Sequence, residues 1–303
     1  MSANAAYSAV VVTYRRPGSL ERVLDGLARQ SLAPALIVVA DNDPDSSAAA
    51  TVARFASMQV VPTQYLPIGR NLGPAGGWAE AEAVARDHPS RGDWLLVVDD
   101  DDELAEPELL ACHVANAEHH AAGGAGAVGL RGSCLDRRRA RLLPAPGAAP
   151  SNVDYLASNG APLYRWSALE QAGFFDGSLF FGFEDLDLGL RLQQHGHTLV
   201  AHPLTLHRVR DTSSSRSTWR EYYKTRAVVT IARRYLGARW LVVHMARSVV
   251  AGGSLLALRE RDAALAWARV VGAWDGARGR LGQRRYFPEQ NPPKGDRRED
   301  QNS

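Results

Sequence analysis

Residues 94–104 read WLLVVDDDDEL, an apolar run of buried-strand character that ends in four consecutive aspartates. Like charges side by side repel, so a core strand gains nothing structural from ending this way. Asp99 and Asp101 are two residues apart, and on an extended segment their carboxylates point to the same side and can share a divalent cation. Hard oxygen donors select Mg²⁺ or Mn²⁺, which keep open positions for phosphate oxygens. A calcium loop wants ligands spread over a longer loop with a glycine at its sharp turn, and no glycine follows here. The plain alternative is a solvated acidic loop.

Three other stretches carry chemistry. In RNLGPAGGW, Arg70 and Asn71 stand beside a glycine-rich turn (Gly73, Gly76, Gly77) that opens a helix. Backbone N–H groups and the helix dipole there favour an anion such as diphosphate, with Gly76 in the binding turn; an ordinary turn is the alternative. The spacing fits neither GxGxxG nor GxxxxGK[ST], so no dinucleotide fold or P-loop is indicated. In VVADND, the Asp41 carboxylate can accept hydrogen bonds from a nucleobase or ribose, or simply cap a turn. In FFGFEDLDLGLRL, Glu184, Asp185 and Asp187 follow three phenylalanines, either as working acids or as acids placed for the dipole of a helix N-terminus. Trp78 and Trp166 can stack on sugar rings, although tryptophans are more often core residues.

The elements that must position these groups alternate. SAVVVTY reads as a strand, and the following segment places Leu20, Val23, Leu24 and Leu27 on one helical face behind Pro17. ALIVVADND, MQVVPTQYL and DWLLVVDDDD repeat the strand signal between helical stretches, which predicts an α/β, doubly wound, mostly parallel sheet. Ligands bind beyond the carboxyl ends of such strands, where Thr13, Asp41, Asn42, Asp99 and Asp101 all fall. The stretch SCLDRRRARLLPAPGAAPSN fits no motif and reads as a loop. From Ser213 the chain reads as helical and basic, with Arg216, Arg220, Lys224, Arg226, Arg233, Arg234 and Arg239 against Glu221 alone. Such a stretch is either a solvated face or a contact for anionic lipid or an acidic partner.

Composition bounds the rest. The chain has 303 residues, 45% of them hydrophobic, and 35 Lys plus Arg against 33 Asp plus Glu. That suffices for a large core and gives no global field for nucleic acid. Cys112 and Cys134 form no CxxC pair and read as core thiols of a reducing cytoplasm. The N-terminus lacks the pattern of a signal peptide. WLVVHMARSVVAGGSLLAL is broken by His244, Arg247 and a glycine pair, which argues against a spanning helix. The expected division is 1–212 as a nucleotide-sugar-binding and catalytic domain, 213–285 as a basic helical extension and 286–303 as a disordered tail. The expected location is cytoplasmic, with peripheral contact at the inner membrane face left open.

The ordered set VVVTYRRP, VVADND, NLGPAGGW, VVDDDDEL and FFGFEDLDLGLRL resembles the family 2 glycosyltransferases of the GT-A fold, nearest the galactofuranosyl- and rhamnosyltransferase branches. EYYKTRAVVTIARRY is similar to their C-terminal helical extension. The resemblance implies an inverting, metal-dependent enzyme that moves a sugar, UDP-galactofuranose or dTDP-rhamnose being the donor, to a hydroxyl on a glycan, a lipid-linked glycan or a small molecule. Thr13, Tyr14, Arg16 and Asp41 match nucleoside-binding positions, and Asn71 lies near the ribose and diphosphate. Asp99 and Asp101 match the DxD pair that holds Mn²⁺ or Mg²⁺, and His207 matches a histidine that completes the metal site in some members. Four aspartates instead of three leave the register open, so Asp100 and Asp102 remain candidates. Inversion needs a base at one face of the anomeric carbon and charge stabilisation at the other, and the family's ED motif gives the base to Asp185, with Glu184 towards the acceptor. Two rival readings are a sugar nucleotidyltransferase, whose glycine-rich N-terminal signature is missing, and a binding module with a dead site.

Overall fold

The apolar runs form a sheet whose two faces are both buried. The computed structural model describes residues 6–59, 61–145, 149–202, 207–208, 217–256 and 260–284, with the backbone alone at 207–208, 251–256 and 260–262. β1 (Tyr7–Thr13), α1 (Pro17–Ala28), β2 (Leu36–Asp41), α2 (Ala49–Met58), β3 (Thr63–Pro67), α3 (Gly73–Arg86) and β4 (Trp94–Asp99) alternate as the periodicity requires. β5 (Asp102–Glu103) and α4 (Leu109–Ala121) close this half. The second half holds β6 (Ala125–Gly129), β7 (Gly132–Asp136), β8 (Arg141–Pro144), β9 (Ser151–Val153), β10 (Tyr155–Leu156) and β11 (Leu163–Arg165). It continues with α5 (Trp166–Ala172), α6 (Glu184–Gln194), β12 (Thr198–Ala201) and β13 (His207–Arg208), before α7 (Thr218–Ile231), α8 (Ala238–Leu256) and α9 (Glu260–Ala277).

Eight strands form the main sheet in the order β3-β2-β1-β4-β11-β6-β12-β9. β1 pairs in parallel with both β2 and β4, so the strand order reverses at β1 and opens a crevice at the carboxyl ends of β1 and β4. β11 runs antiparallel between β4 and β6. Alternate strand residues feed opposite cores. Val11, Val39 and Val98 pack with Leu20, Leu24 and Leu27 of α1, while Val10, Val38 and Val97 pack with Trp78 of α3. That two-sided burial is why these strands read as continuous apolar runs.

Three expectations need correction. SCLDRRRARLLP is a β-hairpin, not a loop: β7 pairs with β8 from Ser133↔Pro144 to Asp136↔Arg141. The Asp136 carboxylate closes its turn by accepting from the amides of Arg138 and Arg139 at 3.1 and 3.0 Å. Cys112 is exposed and Cys134 half-buried, so neither is a core thiol. The basic C-terminal stretch is not one solvent face. Arg226 is fully buried, donates to the carbonyls of Leu179 and Gly282, and lies over the Tyr223 ring at 4.7 Å. Arg234 bridges Asp176 at 2.7 Å and Asp187 at 3.1 Å. Gly272 and Gly276 let α9 approach this helix, since a Cβ on either would stand 2.5 Å from the carbonyl of Tyr222 or Arg226. No described helix is long and apolar enough to cross a membrane. Arg216 and the 286–303 tail lie outside the described residues, as does the 212/213 boundary.

Candidate active site

The crevice between β1 and β4 opens into a cavity of about 890 Å³. β4 ends at Asp99 and β5 begins at Asp102, so the acidic run spans a tight turn, and the Asp102 carboxylate accepts from the Asp99 amide at 3.1 Å. This turn sorts the four aspartates. Asp100 points inward, accepting from the Thr13 hydroxyl at 3.0 Å and pairing with Arg16 at 3.3 Å. Burial pushes the Asp100 carboxyl up, against the opposing pull of Arg16. Asp99, Asp101 and Asp102 instead converge, with one carboxylate oxygen from each inside a 4.8 Å group. Three hard oxygen donors beside an open cavity fit a divalent cation of the Mg²⁺ or Mn²⁺ type. β13 pairs antiparallel with β5, setting the backbone of His207 opposite Glu103, beside the acidic run. The His207 side chain lies outside the described residues.

The glycine-rich turn serves a different purpose from the one its sequence advertises. Gly73 has φ +70°, and a Cβ there would lie 2.0 Å from the Phe180 carbonyl oxygen. A Cβ on Gly77 would strike Val12 at 2.6 Å, and one on Gly76 would strike Leu72 at 2.5 Å. The glycines therefore seat α3 against β1 and the 180–183 loop, and Gly76 does not line the cavity. The first amides of α3 are already taken. The Leu72 amide donates to the Asn42 side chain, the Gly73 amide to the Asn71 side chain and the Ala75 amide to the Phe180 carbonyl. Asn71 and Pro74 reach the cavity wall. Asp41 does not: fully buried, it accepts from the amides of Asp43 and Ala48 and from the Tyr65 hydroxyl, each at 2.9 Å. It organises the loop after β2 and is not part of the cavity lining.

The second acidic group enters from the opposite wall at the start of α6. Phe180 (φ 69°), Gly182 (φ 85°) and Phe183 (φ 63°) all hold left-handed backbone, a costly conformation for two phenylalanines and one that clusters at functional sites. Asp185 is half-buried, and its carboxylate accepts from the amides of Ser158 at 3.1 Å and Leu186 at 2.8 Å. Burial outweighs those bonds and pushes it up to about 6. Glu184 is buried more deeply; burial, helped by the Asp185 charge, raises it to about 8. One Glu184 oxygen has no hydrogen-bond partner among the described residues. Asp187 stays out of the cavity: it is 0% exposed and bound to Arg191 at 2.9 Å, Arg234 at 3.1 Å and Tyr235 at 3.0 Å. That network ties α6 to the C-terminal helices.

One cavity thus gathers Thr13, Tyr14, Arg16, Asn71, Asp99, Asp100, Asp101, Glu184 and Asp185. Trp78 borders it from a buried position against Phe175, and buried Trp166 stands apart from it, so both indoles are core residues first. Asn42, placed with the strand ends by the sequence, is in the wall as well; the sequence reading missed Tyr155 and Ser158, together with Trp219, Arg220 and Lys224 of α7, which form part of the wall. Arg220 and Lys224 are one helical turn apart, so their shared face was visible in the spacing. What the spacing did not carry was that this face meets the cavity.

A family model described as glycosyltransferase like family 2 matches residues 4–230. The chain is 33% identical over 204 residues to the galactofuranosyltransferase GlfT1 of Mycobacterium tuberculosis, covering 62% of this chain and 64% of the relative. The Mycolicibacterium smegmatis protein of that name is 31% identical over 204 residues, covering 62% and 65%. The chain thus spans just under two thirds of the length of these relatives. Among solved structures, the mannosyltransferase PcManGT of Pyrobaculum calidifontis, in complex with GDP-Man and Mn²⁺, superposes with a TM-score of 0.58 at 15% identity, over 91% of this chain and 88% of that one. GalNAc-T7 with UDP, GalNAc and Mn²⁺ gives 0.59 at 13% identity, over 91% and 58%.

Proposed function

The chain belongs to the family 2 glycosyltransferases and has their GT-A fold, and from that premise we propose that it transfers a sugar, with inversion, from a nucleotide diphosphate donor to an acceptor hydroxyl. The observation that carries this reading is the sorting of acids within one cavity. Asp99 and Asp101 line one wall and converge with Asp102 buried behind them, while Asp185 stands on another, buried enough to be held near 6. A base for an alcohol works best near the operating pH, which suits Asp185. Asp185 takes the hydroxyl proton as the acceptor oxygen bonds to the anomeric carbon and the bond from that carbon to the diphosphate oxygen breaks. Asp99, Asp101 and Asp102 would hold Mn²⁺ or Mg²⁺, which when bound neutralises charge on the departing diphosphate. Arg16, anchored by Asp100, keeps the acidic turn in place beside the nucleotide.

Between the two donors the motifs allow, the similarity to galactofuranosyltransferases favours UDP-galactofuranose over dTDP-rhamnose. Family membership sets the nucleotidyltransferase aside. The test is a panel of nucleotide sugars with and without Mn²⁺, read first as thermal stabilisation and then as donor consumption with added acceptor. A ligand at a hundred times its dissociation constant stabilises by about 2.7 kcal/mol. The expected result is Mn²⁺-dependent stabilisation by one donor and its turnover. Stabilisation with no turnover of any donor would leave a binding module.

A further inference from the structure

A second cavity, of about 370 Å³, lies beside the first and shares Ala157 and Asn159 with it. It opens at the carboxyl ends of β6 and β12, where Gly129 and Ala201 end paired parallel strands. The main cavity opens at the carboxyl ends of β1 and β4, so both belong to one edge of one sheet, the edge where such sheets bind ligands. What divides them is the 3-10 turn Ser158–Gly160 that leads into antiparallel β11. The Ser158 amide donates to Asp185, so the base is fastened to the divide itself.

An acceptor whose hydroxyl meets Asp185 must therefore sit at the divide, with the rest of its body extending from there. The geometry points to the second cavity as the subsite for the next sugar unit of a glycan acceptor, an assignment that rests on the transfer reaction proposed above. Its volume lies within the ~300–1,000 Å³ of small-molecule sites. Gly132, Ala145 and Ala201 keep it open, and a Cβ on Gly132 would already stand 2.9–3.0 Å from Val153 and Ala201. Its polar groups suit hydroxyls better than charges. Asn159 offers an amide, and the His202 Nδ1 is buried with no partner among the described residues. Burial pushes that imidazole down, towards its neutral form, in which each ring nitrogen serves a hydroxyl as donor or acceptor. Arg131, the one charged residue in the lining, is exposed. A polyhydroxylated unit matches the amide and imidazole of this lining.

The experiment compares octyl glycosides of one and of two sugar units as acceptor probes, with UDP-galactofuranose and Mn²⁺, and reads the ratio of their kcat/KM values so that a general loss of activity cancels. The wild type should favour the two-unit probe by about tenfold, the equivalent of about 1.4 kcal/mol. Ala145→Trp, which fills the cavity, should bring the ratio close to one, and Asn159→Ala should lower it several-fold. Melting with Mn²⁺ and UDP establishes that each variant is folded; should Ala145→Trp fail to fold, Asn159→Ala decides alone. A wild type that consumes donor but does not favour the longer probe, or variants that keep the preference, overturns the subsite alone. A wild type that consumes no donor overturns the transfer reaction and the subsite with it.

Discussion

The two acidic groups of the cavity are built from the same residue types and differ in what surrounds them. Asp99 and Asp101 are half-exposed at the end of a strand, and their neighbour Asp100 is held by Thr13 and Arg16. Glu184 and Asp185 sit behind three phenylalanines at a helix start, with burial as the main influence on both. The first environment brings carboxylates together at the edge of solvent, as a cation requires. The second raises their proton affinity, as a base near neutrality requires. Side-chain identity thus leaves the role open, and solvation decides it.

Breaking each side should have separable consequences. Asp185→Asn should lower transfer on the order of 10²- to 10⁴-fold while leaving Mn²⁺-dependent stabilisation by UDP intact. Asp101→Asn should abolish that stabilisation. In the unaltered protein, transfer should fall about tenfold per pH unit below about 6, where Asp185 takes up its proton. An Asp185→Asn variant with full activity, or a flat rate between pH 5 and 7, would sink the base assignment.

Asp187 sharpens the contrast, because it shares the sequence motif and does not line the cavity. Its carboxylate is buried against Arg191, Arg234 and Tyr235. Removing one partner from a buried charge network costs about 3–5 kcal/mol, so Asp187→Ala should show its effect in urea denaturation. Residual folded enzyme should keep its KM values. A selective loss of kcat at unchanged stability would make Asp187 part of the reaction.

What was legible in the sequence follows from locality. β1, β2, β4 and α1 declared themselves through apolar runs and the Leu20–Leu27 face, because the burial that shapes them repeats along the chain. The acidic run stood out because four like charges seldom end a core strand; two of the four, Asp100 and Asp102, also serve the turn itself. Asp41 gave a similar signal and does something else, since an acid at a strand end serves a loop's own amides as readily as a ligand. Gly76 misled likewise, its missing side chain being needed for packing on Leu72. Trp219, Arg220 and Lys224 were unreadable as site residues because their place depends on α7 docking beside the 180–183 loop. The ring contact of Phe180 with Tyr223 at 4.5 Å and of Phe181 with Trp219 at 4.8 Å reports that docking, and no local pattern encodes it.

The finest comparison sets Glu184 against Glu82. Glu82 lies fully buried on α3, accepting from the Phe175 amide at 3.0 Å, and burial raises it to about 8, as it raises Glu184. A carboxyl whose folded value exceeds its unfolded one, ~4.3 for glutamate, binds its proton more tightly when folded. Its contribution to stability is complete below about 4.3 and drains away as pH rises through about 8. Glutamine removes that drain, so Glu82→Gln and Glu184→Gln should each gain Tm over the native chain as pH rises from 5 to 8.5. Only Glu184 lines the cavity, so only Glu184→Gln should also change acceptor KM. If Glu82→Gln altered KM equally, raised proton affinity would report burial in this fold and carry no information about the site.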